Sequence, residues 1–440
     1  MSCSSSSGSD EEEEGIEEYR KGGYHAVRVG DQFKGGRYVA QKKLGWGNYS
    51  TVWLAYDTLG NRFVAMKIQK SASEFAESAI HEIKVLSSIA EGDPSNSNCI
   101  VQLLDSFKHS GPNGQHLCLV IELLGDSLLR LIRHNNESGI GLDRVRKICV
   151  SILVALNYLH TELGMIHSDL KPENVLLTST IDPAKDPVRS GLTPILDVGL
   201  KSREGFVNLI EKKLRRRASK TSAKIALRRN TMVRFSENRK SLEGIDLSCK
   251  IVDFGNAYPV NNQLPSEIQT RHYRAPEVIL GSAYSFPVDM WSFACIAYEL
   301  ATGDVMFAPQ SGPNYSEDED HLALMMEVLG KMPKKIAVGG IKSRDYFDRY
   351  GDLKRIRRLK FRPINRILVE KFKFPETDAS EFLEFLCPLL DFTPENRPTA
   401  AECLNHPWLK INRDTDPKTI QTKTNVENKL ENNISKLRLR

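Results

Sequence analysis

A chain of 440 residues exceeds one ordinary domain, and its 40 % hydrophobic and 27 % charged residues describe a globular protein of two lobes or domains with polar appendages. No apolar run reaches the roughly 18 residues that a spanning helix needs. The acidic N-terminus has no signal-peptide pattern and neither end carries a lipidation motif, so no membrane attachment is expected and the protein should be cytoplasmic and nuclear.

The formal charge of +5 conceals asymmetry: residues 1–20 hold seven acids and one base, whereas residues 201–240 hold fourteen bases and three acids. The eight cysteines show neither C-x-x-C pairing nor spacing suited to zinc, and read as buried thiols of a reducing compartment.

Residues 1–37 read as an acidic disordered tail and lead-in, because Ser4 to Ser7 and Asp10 to Glu14 cannot bury enough apolar area to offset ordering entropy. From Tyr38 the pattern turns extended, and Gly45-Trp46-Gly47-Asn48-Tyr49-Ser50 interrupts two strand-like runs. Glycine there lets backbone N–H groups approach phosphates, although a G-x-G hairpin alone is better read as an ordinary turn. Val64-Ala65-Met66-Lys67 follows on the next strand. Phe75, Ala79, Ile83 and Leu86 then fall at helical spacing, which turns Glu82 inward toward Lys67 and makes it a better partner than Glu77.

Leu117 to Ile121 is a buried-strand run that leaves through a turn at Glu122-Leu123-Leu124-Gly125-Asp126, where main-chain groups of Glu122 and Leu124 could bond an adenine edge. A helical run from Val145 to Leu159 should form the core of a second lobe. It delivers the chain to His167-Ser168-Asp169-Leu170-Lys171-Pro172-Glu173-Asn174. In that loop Asp169 could accept the proton of an attacking hydroxyl, Lys171 could neutralise a phosphoryl group, and Asn174 could hold a metal ion. A charged surface turn is the plainer alternative.

Residues of about 182–248 read as a disordered basic insert containing Lys212-Lys213-Leu214-Arg215-Arg216-Arg217. A nucleic-acid contact, a nuclear address and a solvating spacer all suit it, and direct nucleic-acid binding is not assigned. Ile251-Val252-Asp253-Phe254-Gly255 restores regular structure with a carboxylate suited to magnesium. Residues 410–440 read as a polar tail, and no internal repeat is evident.

These motifs, with Ala275-Pro276-Glu277, resemble the eukaryotic protein-kinase set in its order, over residues 38–409 outside the insert. The resemblance implies an α+β, bilobal fold, with a β-rich small lobe of about 38–122 and a helical large lobe of about 126–409. It implies ATP and Mg2+ as cofactors, and ATP contacts from Leu44, Gly45, Trp46, Gly47, Asn48, Tyr49, Ser50, Val52, Ala65, Lys67, Glu82, Glu122 and Leu124. Asp169 and Lys171 would be catalytic and Asn174 and Asp253 would hold metal. Asp289 would brace the catalytic loop, and Glu277 would pair with Arg397.

Within kinases the chain resembles the SR-protein kinases, through Gly45-Trp46-Gly47-Asn48-Tyr49-Ser50-Thr51-Val52-Trp53-Leu54, Asp253-Phe254-Gly255-Asn256-Ala257, Ile268-Gln269-Thr270-Arg271 and Glu299-Leu300-Ala301-Thr302-Gly303-Asp304. That resemblance implies serine phosphorylation of Arg/Ser-rich splicing factors by a monomeric enzyme, with Asp304, Asp320, Glu327 and Lys371 in a docking groove. A solvated acidic turn is the rival reading of Asp318, Glu319 and Asp320. Ser168 replaces the arginine usual before the catalytic aspartate, which implies activity without a loop phosphate. A pseudokinase scaffold and a dual-specificity splicing kinase are the alternatives.

Overall fold

The computed structural model describes residues 15–196, 242, 244–260 and 267–410. The Ser/acid run up to Glu14, the Lys212–Arg217 run and the tail beyond Lys410 lie outside the described residues. Two compact units result. Among the described residues, one contains 15–127, 176–196, 242, 244–246 and 250–257, and the other contains 128–175, 247–249, 258–260 and 267–410.

The first unit is built on an antiparallel sheet of β1 (Gln32–Phe33), β2 (Tyr38–Gly47), β3 (Ser50–Asp57), β4 (Arg62–Gln69), β5 (Leu103–Gly111) and β6 (Gly114–Glu122), in the order β1-β2-β3-β4-β6-β5. β-branched and aromatic residues give these segments their extended preference. Tyr38, Ala40, Trp53, Ala55, Val64, Met66, Ile68, Cys118 and Val120 bury one contiguous cluster with Phe33. Helix α1 (Ser73–Gly92) packs on β4, β5 and β6 through Ala79, Val85, Leu86 and Ile89, a spacing of three and four residues that makes one apolar stripe.

The lead-in from residue 15 is folded, in contrast to the disorder expected for residues 1–37. A helical turn spans Ile16–Glu18, Tyr24 is 2 % exposed, and β1 pairs with β2 through Gln32↔Val39 and Phe33↔Tyr38. The low-complexity argument ends where Tyr19, Tyr24 and Phe33 begin to supply apolar area. Likewise the start of the expected insert is ordered: Pro183–Lys185 form a helical turn, and Gln41 exchanges two hydrogen bonds with the main chain of Ile195, at 2.7 and 2.8 Å. The expected lobe boundaries also differ from the compact units, because Asp253 belongs with the sheet.

The second unit is helical. Helix α2 (Leu128–His134) precedes α3 (Leu142–Thr161), in which Val145, Ile148, Cys149, Ile152, Leu153, Leu156 and Leu159 are buried. Strand β7 (Met165–Ile166) follows, and beyond β8 (Val175–Leu177) and β9 (Cys249–Ile251), whose residues from 176 and from 250 belong to the first unit, come β10 (Tyr258–Pro259), α4 (Pro276–Leu280) and α5 (Pro287–Thr302). Every residue of α5 from Val288 onward is buried, as expected of a helix that is apolar all round. Gly303 ends it in the left-handed region at φ 84, and a Cβ there would fall 1.9 Å from the Glu137 carbonyl oxygen, so only glycine fits. Helix α6 (Glu317–Leu329) is capped by the Ser316 hydroxyl, which accepts from the Glu319 N–H at 3.2 Å. Among the described residues five cysteines are buried, but Cys387 is exposed and Cys99 half-buried, unlike the uniformly buried thiols expected.

Candidate active site

In the first unit β2 and β3 are joined by Asn48 and Tyr49, with Gly47 paired to Ser50. Leu44, Trp46, Asn48 and Tyr49 are exposed, Ser50 is buried and Val52 half-buried. A Cβ built on Gly45 or Gly47 meets nothing within 4 Å, so packing within the chain does not demand glycine at either position. What glycine supplies is bare main chain that another molecule can approach.

Strand pairing then aligns Gly45, Val52, Lys67 and Leu119 in one row across four strands, while Ala65 lies buried between Leu54 and Ile121. Lys67 Nζ meets Glu82 Oε1 at 2.7 Å and Oε2 at 2.9 Å, and Asp253 Oδ1 at 3.0 Å. Gln69 Nε2 donates to Glu82 Oε2 at 3.3 Å. Burial opposes the Lys67 charge, but the Glu82 and Asp253 carboxylates outweigh it and raise its pKa above the ordinary lysine range. Glu82 is 4 % exposed, whereas Glu77 faces solvent.

Asp253 sits in the left-handed region at φ 67 and ψ 73. A non-glycine residue held there costs on the order of 1–3 kcal/mol, a strain that is concentrated at functional positions. Its side chain is 44 % exposed, a hard oxygen donor of the kind magnesium takes.

At the end of β6, the Glu122 N–H is committed to the Gln102 carbonyl at 3.1 Å, so that group is not available to a ligand. The Glu122 carboxylate accepts from Lys250 Nζ at 2.7 and 2.9 Å, and Lys250 also reaches Asn96 Oδ1 at 2.6 Å. Leu124 lies in the turn beyond, half-buried.

The loop from His167 belongs to the second unit. Asp289, fully buried in the first turn of α5, accepts the His167 N–H at 2.8 Å and the Ser168 N–H at 3.0 Å, and bonds His160 Nε2 at 2.9 Å. Two main-chain groups of the loop are thereby fixed to a helix. Asp169 Oδ2 accepts from Lys171 Nζ at 2.8 Å, and Asn174 Nδ2 donates to the Asp169 carbonyl at 2.9 Å, so that Asn174 Oδ1 is the atom that could serve a metal ion. The Thr270 hydroxyl donates to Asp169 Oδ1 at 2.6 Å and accepts from Lys171 Nζ at 3.0 Å.

Sequence reasoning had given Thr270 no role. The contact spans 101 residues, and only its position in Ile268-Gln269-Thr270-Arg271 marked it. Among the described residues no group of three or more His, Cys, Asp or Glu is arranged to hold a metal. Asp253 in the first unit and Asn174 in the second each carry an oxygen of the hard kind that magnesium takes.

Glu277 and Arg397 pair through 2.6 and 2.8 Å bonds. Of the four expected docking residues, Lys371 Nζ meets Asp304 Oδ2 at 2.6 Å, and Asp320 and Glu327 stand seven positions apart on α6. Asp320 accepts the Gln310 N–H and Glu327 the Lys360 N–H, at 2.8 and 2.7 Å. The solvated-turn alternative does not describe this segment: Asp318 bonds Arg271 and Tyr346, and the fully buried Glu319 bonds Arg355.

The model of the protein kinase domain family matches residues 38–201 and 229–409. A serine/threonine-protein kinase named SRPK from Physarum polycephalum is 44 % identical over 402 residues, covering 91 % of this chain and 92 % of that protein. Protein kinase dsk1 of Schizosaccharomyces pombe is 38 % identical over 462 residues, covering 90 % and 85 %. SRSF protein kinase 3 of Homo sapiens is 34 % identical over 515 residues, covering 91 % of each.

Proposed function

This chain belongs to the protein kinase family, among the SR-protein kinases, and from that premise we propose that it phosphorylates serines of Arg/Ser-rich splicing factors through the two residue sets described above. Lys67, set by Glu82, grips the α and β phosphates of ATP, and the glycine hairpin covers them with main-chain N–H groups. The adenine edge meets the Glu122 carbonyl and the main chain of Leu124, bounded by Leu44, Val52 and Ala65.

In the transfer the serine hydroxyl oxygen bonds to the γ phosphorus while the bond to the β–γ bridging oxygen breaks. The hydroxyl proton passes to Asp169, Lys171 steadies the phosphoryl oxygens, and ADP leaves. Thr270 and Lys171 fix the two oxygens of Asp169, so that its orientation is set before substrate arrives. Asp253 and Asn174 are the residues that would hold magnesium, which would supply charge neutralisation on the phosphates. The observation that carries this reading is the Lys67–Glu82–Asp253 tie, which joins three separate motifs in one bonded group.

Arginine-bearing substrates suit acidic partners because guanidinium offers carboxylates a planar fork that lysine lacks. Asp304, Asp320, Glu327 and Lys371 are the docking residues we propose. The enzyme acts as a monomer in cytoplasm and nucleus. Incubation with Arg-Ser, Lys-Ser and Ser-Pro peptides, followed by phosphosite mapping on an Arg/Ser-repeat protein, tests the reading. Phosphate on serines of the Arg-Ser substrates with magnesium supports it, and preference for Ser-Pro overturns it in favour of a proline-directed relative.

A further inference from the structure

The segment from Glu18 to Tyr24 lies before the first residue matched by the kinase family model, yet it is bonded to the glycine hairpin. Tyr24, 2 % exposed, donates its hydroxyl to the Gly47 carbonyl at 2.5 Å. The Lys70 ammonium stands 4.4 Å from the centre of the Tyr24 ring and 5.6 Å from that of Phe75, and bonds Glu18 at 2.6 Å. On the other arm of the hairpin the Lys70 N–H donates to the Tyr49 carbonyl at 2.8 Å, and the Tyr49 ring meets Phe75 at 5.5 Å.

The segment is itself tied down. Ala72 and Ser71, just before α1, donate to the carbonyls of Gly22 and Gly23 at 2.9 and 3.2 Å, and Asn113 Nδ2 donates to the Tyr24 carbonyl at 2.7 Å. A Cβ at Gly23 would fall 2.0 Å from the Glu18 carbonyl oxygen, so the turn requires glycine.

We infer that this segment is a strap that sets the glycine hairpin for phosphate, with Tyr24 as its positioning residue. The physical step is peptide planarity. The Gly47–Asn48 bond is trans, so a carbonyl drawn toward Tyr24 turns the Asn48 N–H to the opposite side. One hydroxyl therefore orients a donor at the hairpin tip, and Lys70 and Phe75 hold the other arm. Burial, with the Glu18 charge nearby, raises the Tyr24 pKa, which keeps the hydroxyl a neutral donor.

The inference rests on the proposed ATP-binding role of the hairpin. Its test is ATP and adenosine affinity of the full chain and of Tyr24→Phe, which keeps the ring and removes the donor. ATP should bind about fivefold more weakly, the effect of one hydrogen bond, with adenosine affinity unchanged. Glu18→Gln, which frees Lys70, should shift ATP affinity in the same direction by less and serves if Tyr24→Phe does not fold. Unchanged ATP affinity, or equal loss for ATP and adenosine, overturns the strap. Failure of the unaltered protein to phosphorylate Arg/Ser substrates would sink the proposed function instead, and leaves the nucleotide-binding comparison decisive for the strap.

Discussion

Arg397 and Glu277 face each other through two parallel N–H···O bonds, with side chains 0 % and 3 % exposed. Arg397 also donates to the carbonyls of Asp391 and Pro287 and lies 4.9 Å from the Trp291 ring centre, so one guanidinium joins three segments of the second unit. Removing one partner strands a buried charge. Arg397→Ala should therefore cost about 3–5 kcal/mol of stability in chemical denaturation. Arg397→Lys should recover little, because an ammonium cannot reproduce the fork.

Glu299 supplies a pH test. Burial, opposed by the bond from the Tyr273 hydroxyl at 2.8 Å, raises its pKa to about 7 from 4.5. Between those values the folded protein binds more protons at this site than the unfolded chain, so this group's contribution falls as pH rises from 4.5 to 7. The loss is on the order of 3 kcal/mol. Glu299→Gln, which still accepts from Tyr273, should flatten the stability slope between pH 5 and 7. An unchanged slope would remove Glu299 as its source.

These two sites also show what the sequence made legible. Glu277 and Arg397 stood in recognisable motifs, as did Lys67, Asp169 and Asp253, and the helical spacing around Glu82 distinguished it from Glu77. The burial of Glu299 had no local signal, since it depends on α5 being enclosed on all sides. Thr270 on Asp169, Lys250 on Glu122 and Tyr24 on Gly47 are contacts across 101, 128 and 23 residues, beyond any periodicity argument. The lead-in misled because its acidic run is followed without a break by aromatic residues that find the sheet.

The docking proposal predicts a difference between long and short substrates. Reversing Asp320 and Glu327 to lysine should raise KM for a long Arg/Ser protein and leave turnover of a short Arg-Ser peptide nearly unchanged. The rise should be roughly two- to thirtyfold, two partly exposed pairs being worth about 0.2–1 kcal/mol each. Both carboxylates also accept main-chain N–H groups, so Asp320→Asn and Glu327→Gln are cleaner removals of charge. Equal effects on both substrates would argue against a groove remote from the chemistry.

Ser168 and Gln269 bear on regulation. The Gln269 N–H donates to the Ser168 carbonyl at 2.9 Å, and its buried side chain donates to Val288 O and Ser292 Oγ at 2.8 Å while accepting the Ala275 N–H at 2.9 Å. The neutral Gln269 amide thus ties this segment to α5 and to Ala275. Phosphatase treatment should therefore leave kcat unchanged, whereas Gln269→Ala, which strands buried partners at about 1–3 kcal/mol, should lower it. Loss of turnover after phosphatase would contradict constitutive activity.

The central claim is that Asp169 takes the proton from the substrate serine. Transfer of radiolabelled phosphate from ATP to an Arg/Ser-repeat protein, compared between the unaltered chain and Asp169→Ala, tests it most directly. The account predicts a fall in kcat of about 10²–10⁴-fold with ATP still bound. Equal incorporation by the two proteins would contradict it.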